Sequence, residues 1–184
     1  MENDRTRVAG GTGKGDRGIA KGPGTFRVLG IDPGSLVTGY GVVEEAGYGL
    51  CCIKYGEIKP GKGVALSSCL QTICGGIQEV ICGTEPDALA IENIFYGKNI
   101  RSLIKQGHVR GVAILAGVEN GVPVYEYSPL EIKKAVVGYG RAEKGQVQMM
   151  VRAILKLSEL PPPDAADALA VAICHIHFKK ADPT

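Results

Sequence analysis

What the sequence lacks narrows its function before any motif is read. No apolar run in the 184 residues is long enough to cross a bilayer, and the N-terminus has no signal-peptide core. A cytoplasmic protein with no membrane role is the expectation. Histidine is scarce, at three residues, and none of the six cysteines forms a Cys-x-x-Cys pair, so no zinc pattern is complete. Cys69, Cys74 and Cys82 fall among Leu66, Leu70, Ile73, Ile77 and Ile81, where small, reduced, buried hydrophobes are expected. Internal repeats are absent, and the length suits one domain with a full core. Strong charge is also missing. The net charge is +2, and residues 1–27 hold six basic against three acidic residues, which leaves −1 for the remainder. A polyanion must therefore meet a local patch rather than a whole-protein field.

Glycine, by contrast, is plentiful. Its 27 residues are about twice the usual share, and seven of them lie in residues 1–26. That segment has almost no apolar periodicity, so residues 1–26 read as a disordered, glycine-rich basic arm ahead of a folded domain over 27–180. Its Gly-x-Gly spacing is no phosphate loop, because no strand precedes it and no helix follows. An incidental extension is the better reading, with a loose DNA contact as the alternative.

The domain is organised around residues 27–45. Val28, Leu29 and Ile31 make a short apolar run that ends in Asp32, and Pro33-Gly34-Ser35 turns the chain into Tyr40-Gly41-Val42-Val43. An unbroken apolar run predicts a strand buried on both faces. An aspartate that merely opens a turn is the commoner reading of this stretch alone. Further acidic positions reverse that order.

Residues 50–58 read as a third strand, and 64–82 as a helix interrupted at Gly75-Gly76. Asp87 to Ile91 is a second apolar run that ends in a carboxylate, Glu92. With a helix between them, the two acidic strands should lie parallel and bring Asp32 beside Glu92. A helix over 99–119, a strand over 122–127 and a helix from Pro129 follow. A loop at 138–142 then precedes helices over 143–157 and from 164. In the last of these, Asp164 and Asp167 are three apart and share one face of an otherwise apolar helix. Capping and the helix dipole explain one of them; a bound cation explains both. Four such carboxylates suit two Mg²⁺ ions, hard cations that take oxygen ligands and act in phosphoryl displacement.

Three antiparallel strands followed by two parallel ones, with helices between, is the order of a ribonuclease H-like α/β fold, a five-stranded mixed sheet flanked by helices. The motifs go further. Gly30-Ile31-Asp32-Pro33-Gly34-Ser35, Thr38-Gly39-Tyr40-Gly41-Val42, Ile91-Glu92, Lys98-Asn99, Arg110-Gly111-Val112-Ala113, Val136-Val137-Gly138, Ala142-Glu143-Lys144 and Asp164-Ala165-Ala166-Asp167-Ala168-Leu169-Ala170 resemble the RuvC family of Holliday junction resolvases. The likeness runs from about Arg27 to His177 in the right order. It implies that Asp32, Glu92, Asp164 and Asp167 are the catalytic, metal-binding carboxylates. It also implies a homodimer that resolves four-way DNA junctions by paired symmetric nicks in recombination and repair, leaving 5′-phosphate and 3′-hydroxyl ends. Mg²⁺ would serve, two per site, with Mn²⁺ as a substitute. A junction-binding branch-migration motor complex is the expected partner.

Lys133 and Lys144 match family lysines near the scissile phosphate, and Lys144 counts among the catalytic set. Lys98, Arg101, Lys105 and Arg110 make a basic stretch suited to phosphates, or simply a solvated face. Phe95 would ordinarily pack in a core; the resemblance favours stacking on an unpaired base. His108, His175 and His177 read as structural, the last two at a helix C-terminus. The rival functions are another ribonuclease H-like nuclease acting on a different nucleic acid, a junction-binding module without catalysis, and an actin-like ATPase. The intact acidic set opposes the second, and the chain length opposes the third.

Overall fold

Alternation along the first strand sorts its side chains between two helical layers. In β1 (Phe26–Asp32), Leu29 and Ile31 point to one face of the sheet, and Val28, Gly30 and Asp32 to the other. The computed structural model describes residues 21–47, 49–93 and 100–181. Beyond β1 these form β2 (Thr38–Ala46), β3 (Gly49–Ile58), α1 (Leu66–Thr84), β4 (Ala88–Glu92), α2 (Ile100–Glu119) and β5 (Val124–Tyr127). Three helices complete the chain: α3 (Pro129–Val137), α4 (Lys144–Ile154) and α5 (Pro163–Ala181).

The strand order is β3-β2-β1-β4-β5. β1 is antiparallel to β2, and β2 to β3, whereas β4 runs parallel to both β1 and β5. This is the expected five-stranded mixed sheet of a ribonuclease H-like fold. Helices α1 and α2 cover the face of Leu29, Ile31, Tyr40 and Val42; α3, α4 and α5 cover the face of Val28, Val43, Ala88 and Ala90. With both faces covered, β1 is buried throughout its interior, as its unbroken apolar run requires.

The sequence reading differs from the structure at several places. Gly75-Gly76 does not interrupt α1, which runs unbroken from Leu66 to Thr84. A Cβ on Gly76 would stand 2.9 Å from Ile58 Cδ1, so this glycine admits the sheet to the helix rather than breaking it. Of the three α1 cysteines only Cys69 is buried, while Cys74 is half-buried and Cys82 falls on the solvent side of the helix; all six cysteines are free thiols. His175 is not at a helix end, since α5 continues to Ala181. It is buried, and its Nδ1 shares a 2.7 Å hydrogen bond with the Tyr127 hydroxyl. Burial first, and then Lys179, pulls its pKa down to about 4, so the ring is neutral.

Of the arm expected over residues 1–26, residues 1–20 lie outside the described ones. Lys21 pairs with Asp87, and Phe26 already belongs to β1. Arg27, which contributed to the basic count of that segment, is buried in β1. Its Nε donates to Glu44 Oε2 at 2.5 Å and its Nη1 to the Thr84 carbonyl at 2.9 Å.

Candidate active site

The register of the parallel pair decides where the first two carboxylates stand. Ile31 is opposite Ile91, so the next residues, Asp32 and Glu92, leave the sheet side by side at the same end. By alternation both point to the α5 side. Pro163 opens α5, which places Asp164 in its first turn and Asp167 one turn further along. The helix lies very close to the sheet because β1 offers it no side chain at Gly30. A Cβ there would fall 2.0 Å from the Ala168 carbonyl oxygen.

Asp32, Glu92 and Asp167 line one open cleft of about 310 Å³, together with Lys133 from α3 and Lys144 from α4. Gln106, Pro129, Ile132, Val147 and Val171 complete its walls. Asp164 stands beside this cleft rather than in its lining and faces Glu57 and Lys59 at the end of β3. Those two pair at 2.6 Å.

The electrostatics are those of crowded, half-buried anions. Burial, then Glu92 and Asp167, raises Asp32 to about 7, and Lys144 only partly offsets them. Burial and Asp167 raise Glu92, with Lys144 and Lys133 acting against the shift. Burial and Glu57 raise Asp164. Lys144, the first residue of α4, is 80% exposed, yet its Nζ donates to Asp167 Oδ2 at 2.8 Å. That bond raises its own pKa and holds it cationic.

A site so short of positive charge suits a divalent cation, and its all-carboxylate donors are those a hard cation takes. Asp32, Glu92 and Asp167, with Asp164 beside them, would hold it. As placed, no three His, Cys, Asp or Glu among the described residues are drawn close enough to hold an ion. Lys144 supplies the cationic charge at Asp167 instead.

The remaining sequence-derived candidates separate. Arg101 and Lys105 are exposed on α2. Arg110 is mostly buried, and its guanidinium pairs with Glu126 on β5, which draws it into the fold rather than onto a solvated basic face. Phe95 and Lys98 lie outside the described residues. Gln106, Glu57 and Lys59 were not anticipated. Gln106 carries no charge to mark it. Glu57 is placed only by strand register, being opposite Gly39, which is in turn opposite Asp32.

Known proteins resemble the chain along most of its length. The family profile described as "Crossover junction endodeoxyribonuclease RuvC" matches residues 28–175. A curated protein of that name from Caldanaerobacter subterraneus subsp. tengcongensis is 54% identical over 153 residues, covering 83% of this chain and 93% of that one. Its namesake from Syntrophotalea carbinolica is 52% identical over 152 residues, covering 83% and 94%. Among solved structures, "T. thermophilus RuvC in complex with Holliday junction substrate" superposes with a TM-score of 0.80 at 35% identity, covering 85% of this chain and 96% of that one.

Proposed function

The chain belongs to the RuvC family of crossover junction endodeoxyribonucleases, and from that premise we propose that it resolves four-way DNA junctions by paired symmetric nicks in recombination and repair. The single observation that carries the reading is the meeting of Asp32, Glu92 and Asp167 in one open cleft with Lys133 and Lys144. Asp164 completes the acidic set from the adjoining turn of α5. The cofactor is Mg²⁺, two ions per site, with Mn²⁺ as a substitute. When bound, they neutralise the charge that develops on the attacking and leaving oxygens.

The residues divide the remaining work. Hydrolysis adds water to phosphorus and expels the 3′ oxygen, giving a 3′-hydroxyl and a 5′-phosphate. The four carboxylates, at rigid strand and helix ends, would hold the cations. Lys144, long and exposed, reaches the non-bridging phosphate oxygens from α4, and Lys133 stands across the cleft on α3. Arg101 and Lys105 on α2, with Lys98 before it, carry the flanking backbone, and Phe95 stacks on an unpaired base. Arg110, grouped with these by sequence as a phosphate contact, is paired with Glu126 on β5. Residues 27–180 are the nuclease domain. It acts as a two-fold homodimer, since two like strands are cut most simply by a symmetric protein. A branch-migration motor that binds junctions is the partner.

The test is a labelled four-way junction beside an RNA–DNA hybrid duplex, each with and without Mg²⁺. Paired, metal-dependent nicks in the junction alone are expected. Cleavage of the hybrid in preference, or binding without cleavage, would overturn the reading. Sedimentation at working concentration should show a dimer.

A further inference from the structure

Thr38-Gly39-Tyr40-Gly41 belongs to the family likeness, yet none of its residues lines the cleft. Gly39 is the register partner of Asp32 on β1 and of Glu57 on β3. Directly opposed residues of neighbouring strands point to the same face. A side chain on Gly39 would therefore project beside those of Asp32 and Glu57, toward the first turn of α5. There is no room for one. Its Cβ would lie 2.0 Å from the Asp164 carbonyl oxygen, 2.4 Å from its carbonyl carbon and 3.1 Å from the Ala165 nitrogen. All three are backbone atoms, which cannot swing aside as a side chain can. The same strand end is fastened to the turn that leaves Asp32, because Thr38 Oγ1 donates to the Gly34 carbonyl at 2.7 Å.

We propose that Gly39 is a positioning residue of the active centre: it seats the backbone of Asp164 directly on β2, next to Asp32, and so sets the separation of two carboxylates from opposite ends of the chain. The chemistry served is that of the nuclease reading, on which this inference rests. A single methyl group at Gly39 must lift the N-terminal end of α5 and draw Asp164 away from Asp32. Gly41 is the contrasting case. Its Cβ would meet the Leu169 side chain at 2.6 Å and the Leu169 backbone nitrogen at 3.0 Å, further along the helix. Substitution there presses chiefly on a side chain that can move and does not bear on the backbone of Asp164.

The experiment compares wild type, Gly39→Ala, Gly41→Ala and Asp164→Glu as full chains. Mn²⁺ binding without DNA is read by calorimetry, stability by thermal melting, and nicking on a four-way junction as a function of metal concentration. Gly41→Ala should melt earlier but bind Mn²⁺ as wild type does. Gly39→Ala should lose about tenfold or more in Mn²⁺ affinity and need correspondingly more metal to nick, with junction binding in metal-free buffer unchanged. Asp164→Glu keeps the charge and the glycine seat but lengthens the arm by one methylene, and should also weaken Mn²⁺ binding. Wild-type Mn²⁺ affinity in Gly39→Ala, or equal losses in the two glycine variants, would overturn the inference. If Gly39→Ala does not fold, Asp164→Glu decides: wild-type affinity overturns the inference and weakened affinity supports it. A wild type that binds Mn²⁺ but leaves junctions intact would fail the nuclease reading alone, because the Mn²⁺ comparison still stands. A wild type that binds no Mn²⁺ would overturn both.

Discussion

Lys144 Nζ donates to Asp167 Oδ2 at 2.8 Å, so a carboxylate suited to holding a divalent cation is held by a lysine. An arriving ion must compete with that ammonium group. Lys144→Met should bind Mg²⁺ or Mn²⁺ more tightly without DNA, because the competitor is gone. It should also nick about a hundredfold more slowly, because the cation proposed to meet the phosphate is gone too. Calorimetry and single-turnover cleavage measure the two effects. Weaker metal binding in the variant would show that Lys144 assists the ions rather than competing with them.

Asp32→Asn, Glu92→Gln, Asp164→Asn and Asp167→Asn should each abolish nicking while junction binding persists. On the proposed function, the grip on DNA would come mostly from phosphate contacts at lysine and arginine, whereas the chemistry would need anionic oxygens. Gel shift and cleavage on the same preparations separate the two. A variant that still cuts at the normal rate removes its residue from the site.

The pH dependence of stability follows from Asp32. Its folded pKa is raised from 3.8 to about 7 by burial, Glu92 and Asp167. Between these values the folded chain holds a proton that the unfolded chain has released. Metal-free stability therefore falls as pH rises through that window. Asp32→Asn cannot ionise, so it should match wild type only below the unfolded pKa of 3.8, gain on it progressively as pH rises, and melt several degrees higher near pH 8. Divalent cation should restore the wild type at the higher pH. Melting curves that shift in parallel at both pH values would assign the effect to another group.

Most of this site was legible in the sequence because carboxylates that end apolar strands are chemically conspicuous. Asp32 and Glu92 could be paired by inferring parallel strands, and Asp164 and Asp167 by helical spacing. Register was not legible. Glu57 becomes a neighbour of the site only because β3 sets it opposite Gly39, and no local pattern announces that. The ion pair of Arg110 was not legible for the same reason. Its partner Glu126 is on β5, and the contact exists only once α2 is laid against the sheet. Gly76 looked like a helix break because a glycine that interrupts a helix and one that admits a neighbour read alike.

Residues 1–20 should be dispensable, since their composition offers neither core nor site. Deleting residues 2–20 is expected to leave nicking, affinity and salt dependence unchanged. Deleting 2–24 also removes Lys21, which pairs with Asp87, and should lower the melting temperature slightly. If the shorter deletion weakens junction binding and flattens its salt slope, the arm is a phosphate contact.

Glu44→Ala should be the most damaging substitution far from the cleft. It leaves the buried Arg27 guanidinium without its carboxylate, at a cost of about 3–5 kcal/mol. Replacing both residues by apolar ones of similar volume should restore most of the loss. Urea unfolding measures each. A loss below about 1 kcal/mol for Glu44→Ala would mean that Arg27 finds another anion.

Helix α5 has a consequence for how the protein comes into being. Ala165 to Ile176 is buried almost without interruption, and the same helix carries Asp164 and Asp167. A chain still emerging from the ribosome has made its sheet before the element that covers it. Until α5 is synthesised it has neither the cover for one face of its sheet nor two of the four site carboxylates, Asp164 and Asp167. Any truncation before Pro163 therefore removes the cover of one sheet face and both Asp164 and Asp167 together.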